Sequence, residues 1–102
     1  MAMTIFVTDE YAWTASFGLF EWVVEFLIEH VADQDAKAEF VTVLRDHHGS
    51  IDLRIVPAET RREILRLLRE DLVPAIVSRF ESDPLTRGHL ETLTLIARDI
   101  EE

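Results

Sequence analysis

Apolar and polar residues alternate along this chain in two rhythms, a period near two and a period near 3.6. Residues 3–7 (MTIFV) are short and rich in β-branched and aromatic side chains, which predicts a strand of about five residues. Thr8 then reads as the N-cap of a helix. Asp9 and Glu10 fall in its first turn, where negative side chains suit the positive helix end, and the helix should run to about residue 31. A second helix begins at Asp33 or Asp35, is apolar at Ala36, Phe40, Val43 and Leu44, and ends at Gly49.

Over residues 50–56 (SIDLRIV) the alternation is strict, with Ile51, Leu53 and Ile55 opposed to Asp52 and Arg54. That pattern predicts a half-buried strand, an extended connector being the alternative. Paired with residues 3–7 it would make a two-stranded ribbon, which is stable only when it lies against helices. Pro57 suits the first turn of a third helix, and Thr60 with Glu63 reads as a capping box. Pro74 predicts a kink or break, with helix resuming through Phe80. Asp83 followed by Pro84 starts a last helix over residues 85–100. The fold expected is mainly α: a compact bundle of four to five helices in one domain over residues 1–102, with a small two-stranded ribbon formed by 3–7 and 50–56.

Residues 17–30 (FGLFEWVVEFLIEH) are apolar nearly all round. At 100° per residue, Thr14, Gly18, Glu21, Glu25 and Glu29 share one arc of roughly 80°. Ala15, Leu19, Trp22 and Phe26 lie on one flank of it; Trp13, Phe17, Val24, Ile28 and Val31 lie on the other. Three glutamates within a span of ~20 residues argue against a membrane helix, since carboxylates in lipid are costly. A bundle-type metal site would need inward glutamate and histidine at fixed spacing, and neither Glu-x-x-His nor His-Glu-x-x-His occurs. The glutamates therefore mark a wet strip between two apolar flanks. One flank serves the core, and the other is covered by this chain or by a partner. The candidate partner-binding residues are Glu21, Trp22, Glu25, Phe26 and Glu29, because tryptophan dominates binding hot spots as well as cores. His30 is placed to assist the negative helix end. Gly18 suggests a close helix contact or a slight bend.

Charge sharpens this picture. Ten Lys+Arg against twenty Asp+Glu leave a net charge of −10. Residues 1–44 hold eight acids and one base, Lys37, whereas residues 45–102 hold twelve acids and nine arginines. Repulsion from phosphates argues against nucleic acid, and a basic protein is the partner such a field would steer in. The plainer reading is that acidity keeps a small protein soluble. The absence of cysteine excludes disulfides, thiolate chemistry and cysteine zinc sites. The first residues, MAMTIFVTDEYAW, lack a basic region and a cleavage pattern, so a cytoplasmic setting is expected.

Candidate chemistry is sparse. His47 and His48 follow Asp46 at a helix end, where cationic histidine favours a capping role over metal binding. His89 reads as a satisfied histidine at the core edge. Arg62, Arg66 and Arg69 form a row beside Glu59, Glu63 and Glu70, the pattern of a solvated, ion-paired face. No serine lies in a nucleophile elbow and no glycine in a phosphate-binding loop, so no catalytic residue, metal or cofactor is expected. The functional expectation is a non-catalytic protein-binding domain. It resembles, in charge and size alone, the small acidic immunity proteins and antitoxins that neutralise a basic partner. A homodimer closed through the aromatic helix face is the alternative. A small ligand-binding or enzymatic helical domain is the third.

Overall fold

The structure, a computed structural model, describes residues 2–46 and 49–100; His47 and His48 lie outside the described residues. The first strand, β1 (Ala2–Phe6), matches the expectation. The long helix from Thr8 does not form. In its place the chain turns and returns antiparallel as β2 (Ala12–Ser16), pairing Ile5 with Trp13 and Met3 with Ala15. The reason is visible in the turn itself. The Thr8 hydroxyl accepts hydrogen bonds from the Glu10 and Tyr11 amides at 3.2 and 3.1 Å, the same bonds a helix N-cap makes. Here, however, the Val7 and Thr8 amides donate to the Tyr11 carbonyl and close a hairpin. Thr8 organises the next three residues in either case, and only the adjacent β1 strand decides between helix and turn.

In β2 burial alternates, with Trp13 and Ala15 inward and Ala12, Thr14 and Ser16 outward. The third strand, β3 (Ser50–Asp52), runs parallel to β1, giving the order β2-β1-β3. The ribbon is thus three-stranded, and the alternation over 50–56 is strand only as far as Asp52. Leu53–Ile55 is a 3-10 turn, because the Asp52 carboxylate accepts from the Arg54 amide at 2.9 Å and curls the chain.

Helix α1 (Phe17–His30) starts where the hairpin ends and packs against β1, β2 and helix α2 (Gln34–Arg45). Cover on two sides accounts for a helix that is apolar nearly all round. Gly18 sits near its start, and nothing approaches within 4 Å of a Cβ built there. The close contact expected at Gly18 is therefore absent. His30 does meet the helix end: its Nδ1–H donates to the Phe26 carbonyl at 2.8 Å, and its ring stacks on Phe26.

Helix α3 (Ala58–Arg66) continues through a π-helical turn (Leu67–Asp71) into α4 (Leu72–Arg79) without a break. Pro74 lacks the amide that would bond the Glu70 carbonyl in an α-helix. The wider π turn, which contains Glu70, takes up that defect one turn upstream. Asp83 caps α5 (Pro84–Asp99), accepting from the Thr86 amide and hydroxyl at 3.2 and 2.7 Å. Helix α5 packs on the π turn and on α4, where the buried Thr94 hydroxyl donates to the Leu68 carbonyl at 3.0 Å. The core joins the inner sheet face (Met3, Ile5, Trp13, Ile51) to Phe20 and Leu27 of α1 and to Leu68, Leu72, Leu90 and Leu93.

Two polar ties dock the hairpin onto α5. The Trp13 indole N–H donates to the His89 carbonyl and the Thr92 hydroxyl, both at 3.1 Å, and His89 stacks on the indole at 5.3 Å. The His89 Nε2–H in turn donates to the Thr14 carbonyl at 2.8 Å. Tyr11 donates its phenol to the Asp99 carboxylate, and that bond, with the carboxylate's charge, holds the phenol above its ordinary pKa.

Candidate functional site

The concavity that combines apolar and charged walls lies between α2 and β3. It has a volume of about 320 Å³, at the small end of ligand-sized sites. Phe40 and Val43 from α2, Ile51 from β3, and Ile55 and Val56 beyond it supply the apolar surface. Phe40, Val43 and Ile51 belong to the buried core, whereas Ile55 is 78% exposed on the lip. Asp33 at the N-cap of α2, Asp35 and Glu39 from α2, and Asp52 from β3 supply carboxylates, and no lysine or arginine stands among the described lining residues.

These carboxylates are not equivalent. Asp33 is a structural anion. Its Oδ1 caps α2 by accepting from the Asp35 and Ala36 amides, and its Oδ2 accepts from the buried Thr60 hydroxyl at 2.7 Å. The Thr60 bond, followed by the amides, holds this carboxyl below its ordinary pKa. Thr60 is therefore not the cap of its own helix. Nor does Glu63 close a capping box: its carboxylate accepts from the Ala32 amide at 3.2 and 3.4 Å. Both residues reach across to the α1–α2 connection and fix the end of the cleft.

Asp52 is spoken for as well. Arg54 donates Nε to its Oδ1 at 2.8 Å and Nη2 to its Oδ2 at 2.9 Å, which lowers the carboxyl pKa. Arg54 also reaches Asp9 at 3.3 Å and lies over the Phe6 ring, tying β3 to the hairpin tip. That leaves Asp35 and Glu39, both exposed and without an ion pair among the described residues. One helical turn apart, they lie about 6 Å apart along α2.

Asp33→Ala is expected to lower the melting temperature at neutral pH by removing the α2 cap and the Thr60 tie together. A depressed folded pKa means that the unfolded chain takes up the proton first as pH falls. The contribution is therefore full above the ordinary carboxylate pKa of about 3.9 and disappears as pH drops through the lower folded value. The gap between wild-type and variant melting curves, followed by circular dichroism, should be constant down to about pH 5 and close below about pH 4. A gap independent of pH would contradict the assignment.

The five residues singled out in the sequence lie elsewhere; none lines the cleft. Glu25 and Glu29 are exposed on α1 and Glu21 is half-buried. Phe26 is 7% exposed in the core. Trp22 is half-buried, stacked on Phe26 and meeting the edge of Phe80 at 5.0 Å. In the arginine row, Arg66 pairs with Asp71 at 3.8 Å and Arg69 donates to the Ile100 carbonyl at 3.5 Å. Sequence reasoning placed Ala36, Phe40 and Val43 on one stripe of α2. It had no means of seeing that part of the stripe opens to solvent beside β3. Asp35 and Glu39, at i and i+4 along that stripe, were the available signal.

Fold and cleft together define the class: a mainly α-helical protein with a three-stranded sheet and an acid-lipped cleft between a helix and a sheet edge. Among the described residues no group of three or more metal-binding side chains is placed to hold an ion, and no helix is long and apolar enough to cross a membrane. No protein-family model, no curated protein and no solved structure matches the chain.

Proposed function

We propose that this chain is a non-catalytic, cytoplasmic protein-binding domain whose acidic surface recognises a basic protein partner. The observation that carries this reading is the α2–β3 cleft, where apolar surface sits beneath the unpaired carboxylates of Asp35 and Glu39 with no cation among the described lining residues. A cationic side chain with an aliphatic stem suits such a site, the stem lying on the apolar floor and the head on the carboxylates. The net charge of −10 adds long-range steering. In charge and size the domain is like an immunity protein or antitoxin, an analogy that supplies a mode of action and no more. The homodimer alternative has less surface to use, since Phe26 is in the core and Phe80 covers part of Trp22.

The test is affinity capture from the native cell with three baits: wild type, Asp35→Lys/Glu39→Lys, and Glu21→Lys/Glu25→Lys/Glu29→Lys. A basic protein should be captured by the wild type, released by salt, and lost with the first variant. Loss with the α1 variant alone would move recognition to the glutamate row. Capture that ignores both variants and salt would refute acidic recognition.

A further inference from the structure

The two edges of the sheet are treated differently, and the difference specifies how a partner would bind. On β2 the outward carbonyl of Thr14 is occupied by His89 of α5, which blocks that edge against another strand. On β3, among the described residues, no side chain from a distant helix occupies the edge in this way. The Thr4 amide donates to the Gly49 carbonyl at 3.1 Å, and Thr4, Ile5 and Phe6 stand opposite Ser50, Ile51 and Asp52. In a parallel ladder this register turns the backbone groups of Ile51 toward β1 and those of Ser50 and Asp52 away from it. Among the described residues no group takes up the outward amide and carbonyl of Ser50 or the outward amide of Asp52, whereas the Asp52 carbonyl turns into the 3-10 turn that follows. Ser50, Ile51 and Asp52 of this edge line the cleft together with residues of α2.

We propose that the open edge of β3 takes up an extended segment of a partner protein by strand addition, with lysine or arginine at alternate positions of that segment meeting Asp35 and Glu39. This rests on the proposed recognition of a basic partner and adds its mode. Alternate residues of an extended strand project to the same side about 6.6–6.8 Å apart, close to the ~6 Å that separates positions i and i+4 along a helix. Two cations at that spacing therefore reach both carboxylates at once, their stems crossing Phe40, Val43 and Ile51. Backbone pairing with Ser50 and Asp52 supplies register, and the carboxylates supply the choice of side chain. A three-residue strand pairs over ~10 Å, so the recognised segment is short.

The probes are capped hexapeptides titrated into the isotope-labelled full chain and followed through its amide resonances. The parent alternates lysine and threonine. A charge control alternates glutamate and threonine, and two further versions are N-methylated at every lysine or at every threonine. The parent should shift the Ser50 and Asp52 amides and slow their hydrogen exchange while leaving Thr14 and Ser16 unchanged. The glutamate peptide should not bind. One N-methylated version should bind at least tenfold more weakly, because only one set of peptide amides faces β3. If both methylated peptides bind like the parent, strand addition is wrong while recognition of basic segments stands. If the glutamate and lysine peptides bind alike, the charge reading falls and this proposal with it. Absence of any shift at Ser50 and Asp52 with the parent overturns strand addition, and the capture experiment decides basic recognition separately.

Discussion

Trp13→Ala should cost about 3–5 kcal/mol of unfolding free energy, read from urea denaturation as a fall in the midpoint. Trp13 is 2% exposed, so truncation leaves a cavity between β2 and α5 that the rigid sheet cannot close. It also removes the donor shared by the His89 carbonyl and the Thr92 hydroxyl, and the ring on which His89 stacks. For a domain of this size each kcal/mol corresponds to roughly 4–8 °C in melting temperature, so the variant should melt at least ~12 °C lower. Trp13→Phe separates the contributions. It keeps most of the ring volume and loses the N–H, and should cost about 1–3 kcal/mol, the penalty of leaving acceptors without their donor. A loss below about 1 kcal/mol for the alanine variant would mean that the hairpin is not docked on α5.

Phe20→Ala and Trp22→Ala, two residues apart on α1, should differ in the opposite sense to ring size. Phe20 is fully buried, and its removal should cost about 3–5 kcal/mol. Trp22 is larger but only half-buried, against Phe26 and Phe80. Roughly half of its 150–250 Å², at ~25 cal/mol per Å², amounts to about 2 kcal/mol. Thermal and urea unfolding of both variants, with light scattering alongside, checks the order. Equal losses would place Trp22 as deep as Phe20. A negligible loss from Trp22→Ala, accompanied by dissociation of a wild-type dimer, would make its outer edge an interface between copies.

The glutamate row was legible in the sequence as geometry. Glu25 and Glu29 do face solvent, and the flanks beside them do find cover, because angular position on a helix follows from residue number alone. What covers each flank was not legible. Phe80 lies over fifty residues away from Trp22, and no local pattern links the two. The cleft was half legible in the same way. The α2 stripe and the first part of the alternation, through Ile51, follow from local pattern, but their separation in space is a property of neither segment.

By itself the sequence determined what short-range bonds and periodicity control: strand β1, the start of α2 at one of two aspartates, Asp33 or Asp35, the Asp83–Pro84 start of α5, the alternation that becomes β3, and a strongly acidic front half. Only the tertiary structure decided how bifunctional side chains were used. The Thr8 hydroxyl serves a helix cap or a turn with the same two bonds, and the presence of β1 selects the turn. Thr60 and Glu63 have the spacing of a capping box, yet Asp33 and Ala32 from across the fold satisfy them. Whether a sheet edge is closed, as by His89 on β2, or open, as on β3, depends on which distant helix packs beside it. A hydroxyl or a carboxylate bonds whichever donor packing brings within reach, and packing joins parts of the chain whose local patterns are independent.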